Sequence, residues 1–193
     1  MGIHAILLAA GGSTRLGAPK QLIDIKGRSL IRHMAKLALK SDIDGLTVVL
    51  GASRENILPE LINLPLDTVI NPDWKKGMGS SLKTAMHVVA PEQEGILVMV
   101  CDQPHLKVSV LNKLIKKAQE KPDHIIASSY ADTIGTPAIF GNIFFESIRE
   151  ISDDQGARSL FGKFSDQIIK VPFPKGDFDL DTPEDLVKWK NQR

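Results

Sequence analysis

Residues 3–9, IHAILLA, form an unbroken apolar run apart from His4, the pattern of a central strand covered on both faces. Runs of the same character at 46–50, 66–70, 95–100, 124–128, 136–140 and 167–171 predict further strands. Between them the apolar positions return at helical spacing. Over 29–40, Leu30, Ile31, Met34, Leu37 and Ala38 share one face, with basic residues opposite. Over 108–120, Leu111, Leu114, Ile115 and Ala118 do the same. Leu82, Met86 and Val89 mark an amphipathic helix entered from a Gly-rich loop at 75–82, KKGMGSSL. Residues 54–64 predict a helix that Pro59 either kinks or begins. Two more helices are expected at 143–151 and 157–164, then a short extended piece at 178–181. Pro183 at the first helical position, with Thr182 as N-cap, starts the last helix.

Strands alternating with helices predict an α/β fold, a three-layer, doubly wound and mostly parallel sheet of Rossmann-like kind. Such sheets bind ligands at the carboxyl ends of their strands. The loops at 10–20, 71–81 and 101–105 each follow a strand and are expected on one edge. Residues 129–166 depart from the strict alternation and read as an elaboration that shapes a second substrate's pocket.

Composition narrows the function more than the fold. The 193 residues suffice for one domain, 1–193, with a sizeable core. The net charge of +1 gives no bulk attraction to nucleic acid, so no nucleic-acid partner is expected. A lone cysteine, Cys101, excludes an internal disulfide and any multi-cysteine zinc site, and a cytoplasmic location is the simplest expectation. The apolar run at 5–10 falls far short of the ~18 residues of a membrane span. It also lacks a basic leader, since only His4 precedes it, so neither membrane nor signal peptide is expected.

The chemistry starts at 7–20, LLAAGGSTRLGAPK. A strand breaks into a loop in which Gly11, Gly12 and Gly17 permit positive φ and close backbone approach. Exposed amides with Arg15 and Lys20 suit a guest carrying several negative charges, a phosphate above all. Two familiar phosphate loops are excluded. Gly12 and Gly17 have P-loop spacing, but Ala18 and Pro19 follow where lysine and Ser or Thr are needed. Thr14 stands where the dinucleotide pattern requires its second glycine.

Asp102 follows a strand directly, in CDQP, and Asp179 and Asp181 share one side of an extended piece. Singly, Asp102 serves as well as a turn residue, and Asp179, Asp181 and Asp185 as caps of the last helix. Beside a phosphate loop, Asp102 and, less strongly, Asp181 suit Mg²⁺, which takes oxygen ligands and keeps phosphate and water partners. The histidines are scattered, no G-x-S-x-G elbow occurs, and Cys101 reads as a small core residue. A reaction without an evident general base fits a nucleophile already ionised. A phosphate monoester, with a second pKa of about 6, is one. It can attack the α-phosphorus of a nucleoside triphosphate and expel pyrophosphate, leaving positioning and charge neutralisation to the protein.

LLAAGGSTRLGAPKQL resembles the LAAG-x-S-x-R-x-G-x-x-K opening of the nucleotidyltransferase superfamily that includes sugar-phosphate and methylerythritol-phosphate cytidylyltransferases. GMGSSL, CDQP, GTPAIF, DDQGARSLF and DLDTPEDL, in that order, are similar to the molybdenum cofactor cytidylyltransferases, MobA-like members of that superfamily. The resemblance implies a Mg²⁺-dependent transfer of CMP from CTP to the phosphate of molybdenum-bound molybdopterin. It implies that the backbone of Leu8, Ala9, Ala10, Gly11 and Gly12 receives base and ribose, with Gly79, Ser80 and Ser81 nearby. By the same resemblance Arg15 engages the β- and γ-phosphates, Lys20 the α-phosphate, and Asp102 and Asp181 the metal. Gln103, Pro104, Thr136, Pro137, Gly156 and Arg158 are implied around the acceptor, and a recipient molybdoenzyme is an implied partner. Guanylyl-transferring relatives more often carry LAGG, so Ala10 leans the expectation to CTP over GTP. A sugar or alcohol phosphate acceptor, and a nucleotide-binding maturation factor without turnover, are the alternatives.

Overall fold

The computed structural model describes residues 1–89 and 92–191, leaving 90, 91, 192 and 193 outside the described residues. Among the described residues, seven strands make one sheet: β1 Ile3–Leu8, β2 Gly45–Leu50, β3 Asp67–Ile70, β4 Gly95–Val100, β5 Ile125–Tyr130, β6 Thr133–Gly141 and β7 Ile168–Pro172. Their order is β3-β2-β1-β4-β6-β5-β7. β1 lies parallel to β2 and β4, pairing Leu7 with Val48 and Met99. β2–β3 and β5–β7 are also parallel, whereas β6 runs antiparallel to both β4 and β5. The predicted doubly wound sheet is present, and the departure expected over 129–166 is this reversed strand.

The helices of the described residues cover the sheet: α1 Leu30–Ala38, α2 Arg54–Leu61, α3 Met78–Val88, α4 Val108–Glu120, α5 Phe145–Arg149, α6 Ser159–Lys163 and α7 Pro183–Asn191. The alternation of β1 divides the core. Ala5, Leu7 and Ala9 pack with Leu30, Met34, Ile57, Leu111 and Ile115 on one face, whereas Ile6, Leu8 and Ala10 pack with Leu82, Met86, Phe144 and Phe161 on the other. Fully burying each such Leu, Ile or Met contributes about 1.5–3 kcal/mol, so both layers are needed to close β1 from water.

Local chemistry sets the helix ends. Ser29 caps α1 by accepting a hydrogen bond from the Arg32 amide at 3.4 Å. Thr182 and Asp185 satisfy one another at the start of α7, Thr182 Oγ1 accepting from the Asp185 amide and Asp185 Oδ2 accepting from the Thr182 amide. Pro59 lies near the end of α2 rather than its start, and the helices expected at 143–151 and 157–164 shrink to five residues each. A larger correction concerns 75–82. Helix α3 begins at Met78, so Gly79, Ser80 and Ser81 form its first turn and are buried instead of lying in a loop.

Candidate active site

The loops after β1, β3 and β4 meet at the carboxyl edge of the sheet, as the alternation predicts, around a cavity of about 520 Å³. That volume is ordinary for a site holding a small organic ligand. Residues 8–12, Lys20 and Asp102 line it, and Ser81 joins them from α3.

The glycines of the first loop act differently from one another. Positive φ falls on Ser13 (52°) and Gly17 (74°), not on Gly11 or Gly12. A Cβ on Gly11 would meet nothing within 4 Å, whereas one on Gly12 would stand 3.0 Å from the Trp74 ring. The loop is held from behind by Gln21, which is buried and donates from Nε2 to the carbonyls of Ala9 (2.8 Å) and Gly11 (3.0 Å). Gln21 itself lines the cavity, so this grip ties the loop to the wall beside it.

Three carboxylates and two cations gather beside the loop. Lys20 Nζ lies 2.7 Å from Asp102 Oδ2 and also pairs with Asp181 Oδ1. Arg15 reaches Asp181 Oδ2 at 2.8 Å, but its side chain is 70 % exposed and it does not line the cavity. Burial alone would lower the pKa of Lys20, yet the charges of Asp102 and Asp181 outweigh it and raise the ammonium above its ordinary value. Asp179 is pushed up to about 7, first by the loss of water around its carboxyl and then by the charges of Asp102 and Asp181. Burial raises the Cys101 thiol far above its usual range, which removes it as a nucleophile near neutral pH.

The residues present suit a divalent cation. Lys20 Nζ bridges two carboxylates, Asp102 directly after β4 and Asp181 in the segment before α7, and Asp102 Oδ1 is buried with no hydrogen-bond partner. No group of three or more His, Cys, Asp or Glu is set to hold a metal among the described residues. A two-carboxylate set matches Mg²⁺, which draws its remaining ligands from phosphate and water.

The other expected site residues lie apart from this cavity. Gly79 is needed for packing, because a Cβ there would strike the carbonyls of Ser152 and Gln155. Ser80 is buried, accepting from Asn71 Nδ2 at 2.8 Å and donating to the Gly77 carbonyl at 2.8 Å. Gln103 is buried and donates to the Gly176 carbonyl at 2.9 Å, with Pro104 buried beside it. Thr136 and Pro137 sit within β6. Arg158 donates to Thr133 Oγ1 at 2.6 Å, and Gly156 packs on Met78, its one link to the cavity wall. Sequence reasoning passed over Thr14, Gln21, Trp74, Lys75 and Met78, all on that wall. An aromatic and a lysine immediately before a Gly-rich helix start were the available signal.

Residues 5–168 match the model of the MobA-like NTP transferase domain. The chain is 34% identical over 130 residues to nicotine blue oxidoreductase of Paenarthrobacter nicotinovorans, an alignment covering 67% of this chain and 62% of that protein. It therefore spans less than two thirds of that relative's length. The purine catabolism protein PucB of Bacillus subtilis is 28% identical over 198 residues, with 95% and 94% of the two chains covered. Rv0371c of Mycobacterium tuberculosis superposes with a TM-score of 0.86 at 25% identity, covering 99% of this chain and 98% of that one. A second structure of that protein, 24% identical with a TM-score of 0.81 over the whole of both chains, holds manganese. With the cavity at the carboxyl edge, the loop after β1 and the matched span in agreement, the chain belongs to the MobA-like NTP transferase domain family, a family of nucleotidyltransferases.

Proposed function

We propose that this protein transfers CMP from CTP to the phosphate of molybdenum-bound molybdopterin, with Mg²⁺, releasing pyrophosphate and forming the cytosine dinucleotide. The observation that carries the transfer is Lys20 held between Asp102 and Asp181 at the lip of a cavity walled by the 8–12 backbone. In the reaction a phosphate oxygen of the acceptor forms a bond to the α-phosphorus. The bond from that phosphorus to the oxygen bridging to the β-phosphorus breaks, and pyrophosphate leaves. The acceptor monoester is ionised at neutral pH, its second pKa being about 6, so no side chain has to take a proton.

Lys20 swings from the carboxylates to an α-phosphate oxygen and neutralises charge that grows there in the transition state. Arg15, exposed and carried on the same loop, meets the β- and γ-phosphates as they arrive. Asp102 and Asp181 would hold Mg²⁺, which would supply Lewis-acid charge to phosphate oxygens. The amides of residues 9–12 receive ribose and base, with Gln21 keeping the loop in shape. The choice of cytosine and of a molybdopterin acceptor rests on the likeness of LAAG, CDQP and DDQGARSLF, not on the cavity. A cytoplasmic location and hand-over to a recipient molybdoenzyme belong to the same reading. No helix among the described residues is long and apolar enough to cross a membrane.

The test is incubation with molybdenum-bound molybdopterin and each labelled nucleoside triphosphate in turn. Pyrophosphate release with CTP is the expected result. Release with GTP alone would overturn the base, and turnover only with a sugar phosphate would overturn the acceptor.

A further inference from the structure

Trp74 and Lys75 line the cavity, yet the transfer as derived gives them no task. The segment carrying them is rigidly anchored. Asn71, 1% exposed, donates from Nδ2 to Ser80 Oγ (2.8 Å) and Ser81 Oγ (3.0 Å), and its Oδ1 accepts from the Asp73 amide at 2.9 Å. The Gly77 amide then closes a turn on the Trp74 carbonyl at 3.3 Å. The bonds at the Asp73 amide and the Trp74 carbonyl hold the backbone on either side of the indole, and the other two tie Asn71 to the first turn of α3.

The ring lies where two residues lack a side chain. A Cβ on Gly12 would stand 3.0 Å from Cζ3 and Cη2 at the far edge of the indole, and one on Gly51 would stand 2.7 Å from Trp74 Cβ. Gly12 is not in a positive-φ conformation, so the absent side chain there serves space and not backbone geometry. Trp74 is the one aromatic side chain lining this cavity among the described residues, and the Lys75 ammonium stands 5.6 Å from its ring centroid. An anchored aromatic ring laid against the nucleotide loop, with a cation beside it, is the arrangement that receives a planar base next to phosphates.

We propose that Trp74 is a positioning residue for the nucleotide, the aromatic wall against which the base packs while residues 9–12 receive the ribose. This rests on the nucleotidyltransferase reading of the cavity and adds the residue that sets the base's plane. Stacking tolerates any base, so Trp74 contributes affinity and alignment, while the choice among bases stays with the loop.

Trp189, the other tryptophan, is 8% exposed and packs against His105 and Phe178, so Trp189→Phe leaves Trp74 as the sole indole. Adding CTP and Mg²⁺ to that variant without acceptor is expected to change Trp74 emission saturably, at the midpoint calorimetry gives for binding. Trp74→Leu is expected to weaken CTP binding by about tenfold or more with the KM for acceptor unmoved, whereas Trp74→Phe retains most of the affinity. In Trp74→Phe the CTP-dependent emission change also disappears, a control that needs no substitution at Trp189. Normal CTP binding with unchanged Trp74 emission, or normal binding by Trp74→Leu, overturns the role of Trp74 and leaves the transferase reading standing. An emission change with the pterin acceptor but not with CTP also overturns it. If the unaltered protein binds no nucleoside triphosphate, both fall together.

Discussion

Replacing Lys20 by methionine removes the charge that joins the two halves of the site. Lys20 is 15% exposed in its side chain, and its carboxylate partners Asp102 and Asp181 are 22% and 27% exposed. A unit-charge pair near 4 Å at an effective dielectric of about 20 attracts by about 4 kcal/mol, and stripping water from the ammonium returns much of that. Arg15 remains on Asp181 after the change. The net loss of folding stability is then about 1–2 kcal/mol, measured by urea unfolding in EDTA. Because folding raises the ammonium's pKa, this contribution is fully present below its unfolded value of about 10.5 and fades as pH rises through the folded one. Asp179, held near 7 with the Lys20 charge lowering it, rises further in the variant, so the stability gap should widen as pH rises through about 7 before the ammonium itself titrates. Activity falls much further, because the cation is placed where charge develops. Loss of one such group costs about 10²–10³ in rate, or about 2.7–4 kcal/mol. Pyrophosphate release under saturating substrates reads this directly. A folded Lys20→Met protein keeping more than a tenth of the wild-type rate would refute the placement of Lys20 at the reacting phosphorus.

Three further outcomes follow from the same geometry. Folding raises Asp179 from 3.8 to about 7, so the native state holds its proton more tightly, and the associated stability is present below pH 3.8 and lost as pH rises through about 7. Asp179→Asn should thus gain on the wild type between those limits, by about 1 kcal/mol or less after screening of a group with solvent contact, as read from unfolding curves in EDTA at pH 4 and pH 8. Gly79→Ala places a methyl on the carbonyls of Ser152 and Gln155, and chemical unfolding should show a loss of about 1–3 kcal/mol despite the better helix propensity of alanine. Cys101, buried and with a raised pKa, should resist thiol reagents at pH 8 in the native protein and react stoichiometrically in guanidinium; rapid native labelling would contradict its packing.

The parallel strands and the helices between them were legible because buried strands and amphipathic helices write their periods into the chain. β1, β2 and β4 and helices α1 and α4 appear within a residue or two of where 3–9, 46–50, 95–100, 29–40 and 108–120 place them. β6 was foreseen only in part. It begins three residues early because Ala131 and Asp132, both at positive φ, make a tight turn from β5 without the glycine that usually announces one. The start of α3 was misplaced for a related reason. Gly77 and Gly79 read as loop residues, but their missing side chains admit the backbone of 152–155, a contact between distant segments.

The site divides along the same line. Local sequence held the loop after β1, the cations at Arg15 and Lys20 and the acid after β4, since each is a residue type at a strand end. That Lys20 would stand between Asp102 and Asp181, 82 and 161 residues away, could be decided only when the fold brought the end of β4 and the segment before α7 to the loop after β1. Trp74 shows the limit most clearly. The lysines and Gly-rich helix start that follow it mark a loop but do not put the indole on a cavity wall. Its place on the cavity wall depends on room left by Gly12 and Gly51, which the order of β1, β2 and β3 in the sheet sets beside it.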